Sequence, residues 1–338
     1  MHQQKLGVTA LFVLSICILL FLWAAPAIGT PLFALPADQN RINNFSANHQ
    51  VWMVGDSLHL SFRNKTLQVD ENGQFRKMNS KCMLGTATDT HYLYSFVSND
   101  DSVGFINDII LQQRQDQRVL HKAKDVSSPV LTKQYLYYIT SPVDQYQLKR
   151  YNLQTDTLET VLPWVSSFCV AGSDLLYTTG GMASDFYGLP ENQQPILRYR
   201  NLETGEDVLV MSDTYHGGIG SYFIEDNSIF FMDNVNLYRF DCQQRTVEIY
   251  LPDPMLYLLN AYKGRLYLAR ETQDEDGRCL YTIFAHDLQT GQEELLLPEP
   301  IAGGALSPQL TVLDDGVWIC RIGRNGYIIE NHGQRYEQ

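Results

Sequence analysis

Positive charge is scarce in this chain: 25 Lys and Arg stand against 38 Asp and Glu, a formal net charge of -13. The cations are scattered and form no basic stripe, which excludes nucleic acid and an anionic membrane surface as main partners. Cysteine is also sparse, six in 338 residues, with no C-x-x-C pair and no zinc-like grouping with histidine. Cys169, Cys242 and Cys320 read as small buried residues of strands. One disulfide is open to an exported chain, but the spacing names no pair. Catalytic signatures are missing as well. There is no G-x-S-x-G elbow, no H-E-x-x-H, no Walker loop and no dinucleotide fingerprint, so no catalytic residue is assigned and the chain is read as a non-enzyme.

The one long hydrophobic run lies at the start. From Leu6 to Trp23 the chain is almost entirely apolar, Lys5 precedes it, and the next cation is Arg41. That asymmetry predicts a cytoplasmic N-terminus with everything beyond Trp23 outside the cytoplasm. The run is long for a signal peptide and nearly long enough to span a bilayer, so residues 1–28 are read as one helix, an uncleaved signal anchor. A signal peptide cut near Ala25-Pro26-Ala27, giving a secreted chain, is the alternative. Residues 29–48, with three prolines and several Asn and Ser, read as a flexible linker.

From residue 49 to 338 no helical period of any length is present, and strand and turn patterns alternate. A phrase of apolar residues with an aromatic recurs roughly every 43 residues, a spacing typical of propeller blades. Its copies begin at Leu93, Leu136, Leu175, Ile229, Leu266 and Val317, with a fainter one at Leu58. A second phrase follows it: Asn152-Leu153-Gln154-Thr155-Asp156, Asn201-Leu202-Glu203-Thr204-Gly205, Asp241-Cys242-Gln243-Gln244-Arg245 and Asp287-Leu288-Gln289-Thr290-Gly291. An Asx side chain that caps local backbone, followed by a residue tolerating positive φ, makes each copy a tight hairpin. The repeat parses into four strands, for example 167–171, 174–179, 196–201 and 207–211. The fold expected is all-β: a β-propeller of about seven four-stranded blades, with six as the alternative count.

Two stretches, Leu136–Leu162 and Ile229–Leu251, resemble worn copies of the YWTD-type blade of lipoprotein-receptor propellers. Over most of the chain beyond about residue 50 the likeness is to exported bacterial propellers with such blades. No blade reads Tyr-Trp-Thr-Asp, so the resemblance implies fold and extracytoplasmic location, not the receptors' ligands. The D-x-x-T-G phrases are shared with quinone-dependent propeller dehydrogenases, but four tryptophans are too few for the regular docking of those enzymes.

Long connections mark where a ligand would bind. They are 98–104, 179–195, 271–278 and the interblade link 212–221, all on the face opposite the stereotyped hairpins. Asp185, Phe186 and Tyr187 are candidates for an aromatic platform, and Tyr215 and His216 sit on a glycine-rich link near the channel. No metal site is assigned. Asp274 and Asp276 were weighed as calcium ligands, but they lack the alternating acidic spacing of a calcium loop and read first as a solvated turn. No other cofactor is implied. The function expected is that of a membrane-tethered binding module for a protein, peptide or glycan. A polysaccharide hydrolase or lyase, or a structural part of a surface assembly, are the alternatives.

Overall fold

The computed structural model describes residues 36–47, 51–54, 57–62, 65–69, 75–77, 84–97, 107–140, 146–179, 196–212, 222–303, 308–314, 316–323, 326–331 and 334–337. The chain divides into two units, Met1–Leu32 and Phe33–Gln338, and all described residues belong to the second. The apolar run of residues 6–23 lies outside them. No helix among the described residues is long and apolar enough to cross a membrane.

The described chain is a succession of antiparallel meanders. The first sheet holds β1 (Val51–Val54), β2 (Ser57–Phe62), β3 (Lys65–Val69) and β4 (Phe75–Lys77). The second has seven strands: β5 (Leu84–Ala87), β6 (His91–Val97), β7 (Asn107–Gln113), β8 (Val119–Leu131), β9 (Tyr135–Ile139), β10 (Leu148–Asn152) and β11 (Thr157–Leu162). Then come β12 (Val165–Ala171), β13 (Asp174–Thr179), β14 (Ile196–Asn201) and β15 (Asp207–Ser212). The fourth sheet holds β16 (Tyr222–Glu225), β17 (Ser228–Met232), β18 (Leu237–Asp241) and β19 (Thr246–Leu251). The fifth holds β20 (Leu256–Tyr262), β21 (Arg265–Gln273), β22 (Cys279–Asp287) and β23 (Glu293–Leu295), with the short β24 (Ile301–Ala302) beside β22. The last is β25 (Gln309–Leu313), β26 (Gly316–Gly323), β27 (Gly326–Asn331) and β28 (Gln334–Glu337).

Six sheets stand where the repeat predicts about seven blades, because β8 is shared. Its 13 residues pair with β7 as far as Val126 and with β9 from Ser127 onward. Asp125 and Ser128 take positive φ of 51° and 49° where the partner changes, so the strand is bent at the handover. Elsewhere the parse from sequence agrees closely. Strands β13 and β14 have the expected bounds, and the recurring apolar phrase lies in the second strand of its meander each time.

Burial explains why that phrase reads as a run rather than an alternation. Leu136, Tyr137, Tyr138 and Ile139 of β9 are all buried, as are Ile229, Phe230 and Phe231 of β17. Such a strand is covered on both faces, so its central positions read as an apolar run. Fourth strands are the opposite: β11, β19 and β23 are mostly exposed.

Part of the segment read as a linker is helical. Residues Pro36–Ser46 form helix α1. Pro36 stands at the first helical position, where a missing N–H costs nothing. Its sequence, rich in Asn, has low helix propensity, so tertiary contact is what holds it. It packs against β5, β16, β20 and β25, the first strands of their sheets, and against β8, the central strand of the second sheet.

Two asparagines make that contact specific. The fully buried Asn43 amide donates to the carbonyls of Ile224 (2.7 Å) and Ala261 (2.9 Å) and accepts from the Ile224 N–H (2.8 Å). Asn44 donates to the Val312 carbonyl (2.8 Å) and accepts from the Val312 N–H (3.0 Å) and the Asn260 amide (2.8 Å). Arg41 and Gln39 add bonds to the carbonyls of Leu131 and Ile224. Each asparagine thus pairs with both polar groups of one residue on a strand edge, as a further strand would. Replacing Asn44 with Ala strands three buried partners, so the loss of unfolding free energy is expected to be on the order of 3 kcal/mol or more. Urea unfolding of the full chain measures it. A midpoint equal to that of the parent would mean that the helix contributes nothing to holding the sheets.

Candidate functional site

The segments favoured by sequence lie outside the described residues: Asp185, Phe186 and Tyr187 within 180–195, Tyr215 and His216 within 213–221. Their anchors are described. Thr179, Ile196 and Ser212 are consecutive partners across β13, β14 and β15, and 213–221 leaves from Ser212. Both segments therefore spring from one end of one sheet, on strands spaced about 5 Å apart.

Asp274 and Asp276 are described, and turn chemistry accounts for them. The Asp274 Oδ1 accepts the N–H groups of Asp276 (2.9 Å) and Arg278 (2.8 Å), closing the β21–β22 hairpin around Gly277 at φ 75°. Asp276 faces Arg278 at 3.2 Å. Among the described residues no group of three or more His, Cys, Asp or Glu is placed to hold a metal ion.

The four hairpins anticipated from the second phrase share one geometry. Asn152, Asn201, Asp241 and Asp287 each accept, on one side-chain oxygen, the N–H groups two and three residues on. Asp156, Gly205, Arg245 and Gly291 then take positive φ. Cys242 sits in such a turn rather than in a strand. Burial pushes its thiol and that of Cys169 well above the ordinary range, so neither is nucleophilic near neutral pH.

A cleft of about 390 Å³ opens between the β16–β19 and β20–β23 sheets at their hairpin end. Glu225 and Asp226 of the β16–β17 hairpin form one wall with Phe230, Arg239 and Tyr250. Lys263, Gly264 and the Asp287–Gln289 turn form the other. Glu225 is 6% exposed, and its Oε1 accepts the Gly264 N–H at 2.7 Å, tying the two sheets together. Glu225 lines the cleft, and the bond from Gly264 is its only hydrogen bond among the described residues. Burial, helped by the neighbouring Asp226 charge against the opposing bond from Gly264, pushes the carboxyl up to about 7.

The remaining charges of the cleft are engaged. Arg239 donates to Ser228 Oγ (2.8 Å) and faces Glu248 at 3.7 Å. Lys263 donates to Asp314 (2.6 Å), and turn N–H groups hold Asp287 below the usual carboxylate range. Tyr250 shares a hydrogen bond with the buried His286 (3.1 Å). Sequence reasoning passed over Glu225 because a glutamate beside a turn reads as a solvated end. The available sign was its place directly after the apolar Tyr222-Phe223-Ile224.

Because folding raises the Glu225 pKa, the native state binds more protons than the unfolded chain between about pH 4.5 and 7, and stability falls as pH rises through that window. Full ionisation costs on the order of 3 kcal/mol. Glu225→Gln is expected to flatten this fall. Urea midpoints from pH 5 to pH 8 test it, and an unchanged profile in the variant would assign the slope elsewhere.

No protein-family model matches the chain, and no curated protein sequence does. Among solved structures it is similar to the tricorn protease, at 8% identity and TM-score 0.53 over 85% of this chain and 33% of that one. It is also similar to the β-propeller domain of the trilobed protease from Pyrococcus furiosus, at 9% identity and TM-score 0.50 over 75% and 81% of the two chains. A third likeness is to an acylaminoacyl peptidase, at 12% identity and TM-score 0.51 over 75% and 45%. The chain thus spans a third of the tricorn protease and under half of the peptidase. At such identities the likeness concerns fold alone: the described chain is mostly β and propeller-like.

Proposed function

We propose that this protein is an exported propeller of seven four-stranded blades, tethered to the membrane by residues 1–28, that binds a protein, peptide or glycan through one end of its strands. The count takes β8 as both the last strand of one blade and the first of the next. The observation that carries the binding reading is the asymmetry of the connections. Within each meander the first-to-second and third-to-fourth links have five residues or fewer. The opposite ends carry 98–106, 140–147, 180–195 and 213–221. A rigid scaffold with its long segments gathered at one end is the usual arrangement for recognition. Phe186 and Tyr187 supply contact area there at low entropic cost, and Asp185, Tyr215 and His216 supply polar contacts.

A hydrolase or lyase in the channel is favoured less. It needs two carboxyls facing each other across free space. Helix α1 packs against the first strands β5, β16, β20 and β25, and the amides of Asn43, Asn44 and Asn260 are buried there.

Photo-cross-linking in cells separates these readings. A benzophenone amino acid at position 186 or 187 is expected to give a discrete adduct, and one at position 244, on a third-to-fourth hairpin, none. Deleting Asp185–Leu189 should abolish co-purification of that adduct's partner while leaving unfolding free energy within about 0.5 kcal/mol of the parent. Adducts from position 244 alone, or capture unchanged by the deletion, would overturn the site.

A further inference from the structure

The cleft between the β16–β19 and β20–β23 sheets lies at the hairpin end of the strands, away from the long segments, and nothing above gives it a role. We propose that it is a binding site for a primary ammonium group, carried on an aliphatic stem, with Glu225 and Asp226 as its acceptors. The proposal stands apart from the reading of the long-segment end, and either can fail without the other.

Three observations carry it. Glu225 is a carboxyl more than nine-tenths buried that lines the cleft, yet the Gly264 N–H is its only hydrogen-bond partner among the described residues. Burying such a group is costly unless something pairs with it. Asp226, exposed at the mouth beside it, has no hydrogen bond or ion pair among the described residues and is held on the same tight turn, at φ 50°. The cations already present are directed elsewhere, Lys263 to Asp314 and Arg239 to Ser228 and Glu248. The free capacity of the cleft is therefore acidic.

The geometry also selects the kind of cation. A guanidinium binds a carboxylate best through both oxygens at once, but Glu225 has already given Oε1 to the Gly264 N–H. An ammonium is a point charge that needs single oxygens from several directions, which Glu225 and Asp226 supply. A calcium ion asks for six or more oxygens, and two free carboxyls do not provide them. Phe230, Tyr250 and Leu288 line the cleft beside these acids and suit a methylene stem. The volume of about 390 Å³ is at the small end of the range for ligand sites, enough for one side chain or a short diamine.

Binding is coupled to a proton. The groups facing Glu225 are Asp226 on its own turn, Tyr267 from β21, and Lys263 from the β20–β21 turn. With its carboxyl pushed up to about 7, Glu225 must release a proton to meet an ammonium at neutral pH. Affinity should therefore rise between pH 6 and pH 8.

The test is calorimetry and NMR on the full chain with two probes, Nα-acetyl-lysine methylamide and 1,5-diaminopentane, and the uncharged norleucine analogue as control. Expected is binding of at least one amine, with proton release in buffers of different ionisation heat and none with norleucine. Binding of the lysine derivative alone points to peptide side chains, and binding of the diamine alone to free polyamines. Glu225→Gln should weaken binding by about tenfold or more, the loss expected of a charged hydrogen bond. Asp226→Asn, at an exposed position that cannot unfold the chain, should weaken it less. Amine affinity unchanged in both variants, equal binding of norleucine, or no binding by either amine at pH 8 would overturn the assignment.

Discussion

The arrangement of the sheets depends on how the inner strand edges are satisfied. The first strands β5, β16, β20 and β25 have a neighbour on one side only, so their other edge presents backbone N–H and C=O groups to the space between the sheets. Unmet, each such group costs as much as a lost hydrogen bond or more. Helix α1 meets them with side-chain amides, which alone among neutral side chains both donate and accept as a peptide does. Asn43 addresses β16 and β20, Asn44 addresses β25 and, through Asn260, the Leu310 carbonyl. One short helix thereby fixes strands that lie far apart in sequence. No sheet among the described residues mixes strands from the two ends of the chain, so α1 supplies cross-links that an exchanged strand would otherwise give.

Toward the rim the physics changes from packing to protection. Leu158, Leu209, Ile249 and Leu295 on β11, β15, β19 and β23 are between 49% and 62% exposed. These are edge strands, and exposed aliphatic edges invite pairing with other chains. Charge accompanies them: Arg150–Glu159, Arg198–Asp207 and Arg239–Glu248 bridge third to fourth strands. Such exposed pairs add little stability. Their use is to keep the edges solvated. The net charge of -13 acts in the same direction over the whole surface.

What the sequence revealed follows the same division. Strands and hairpins were legible because their determinants are local: an apolar run covered on two faces, or an Asx oxygen within three residues of the N–H groups it caps. Asn201 and Gly205 announce a hairpin wherever they fall. Helix α1 was illegible because its determinants are distant. Asn43 is meaningless without Ile224 and Ala261, some 180 and 220 residues away, and its neighbours have the composition of a linker. Within the segment read as a tether, residues 36–46 show local propensity overridden by tertiary hydrogen bonding. Glu225 was missed for a related reason, since only the fold brings Gly264 against it. The sharing of β8 between two meanders was hidden too, because nothing in residues 119–131 announces a bend at Asp125 and Ser128.

Glu225 also bears on why the hairpin end is more than scaffold. Its bond to the Gly264 N–H joins two sheets, and an uncharged Gln could accept that bond equally well. A carboxyl in the same place brings a penalty that grows as it ionises, which a structural tie does not require. Its distinguishing property is that it can take a negative charge while lining a cleft whose own cations are engaged. Groups that cost stability without structural return are concentrated where a protein binds or reacts. On the two proposals the ends of the strands divide the work: long segments would read a large partner at one, and a compact acidic cleft would take a small cation at the other. Helix α1 lies between the first strands, so neither site depends on an open passage to the other.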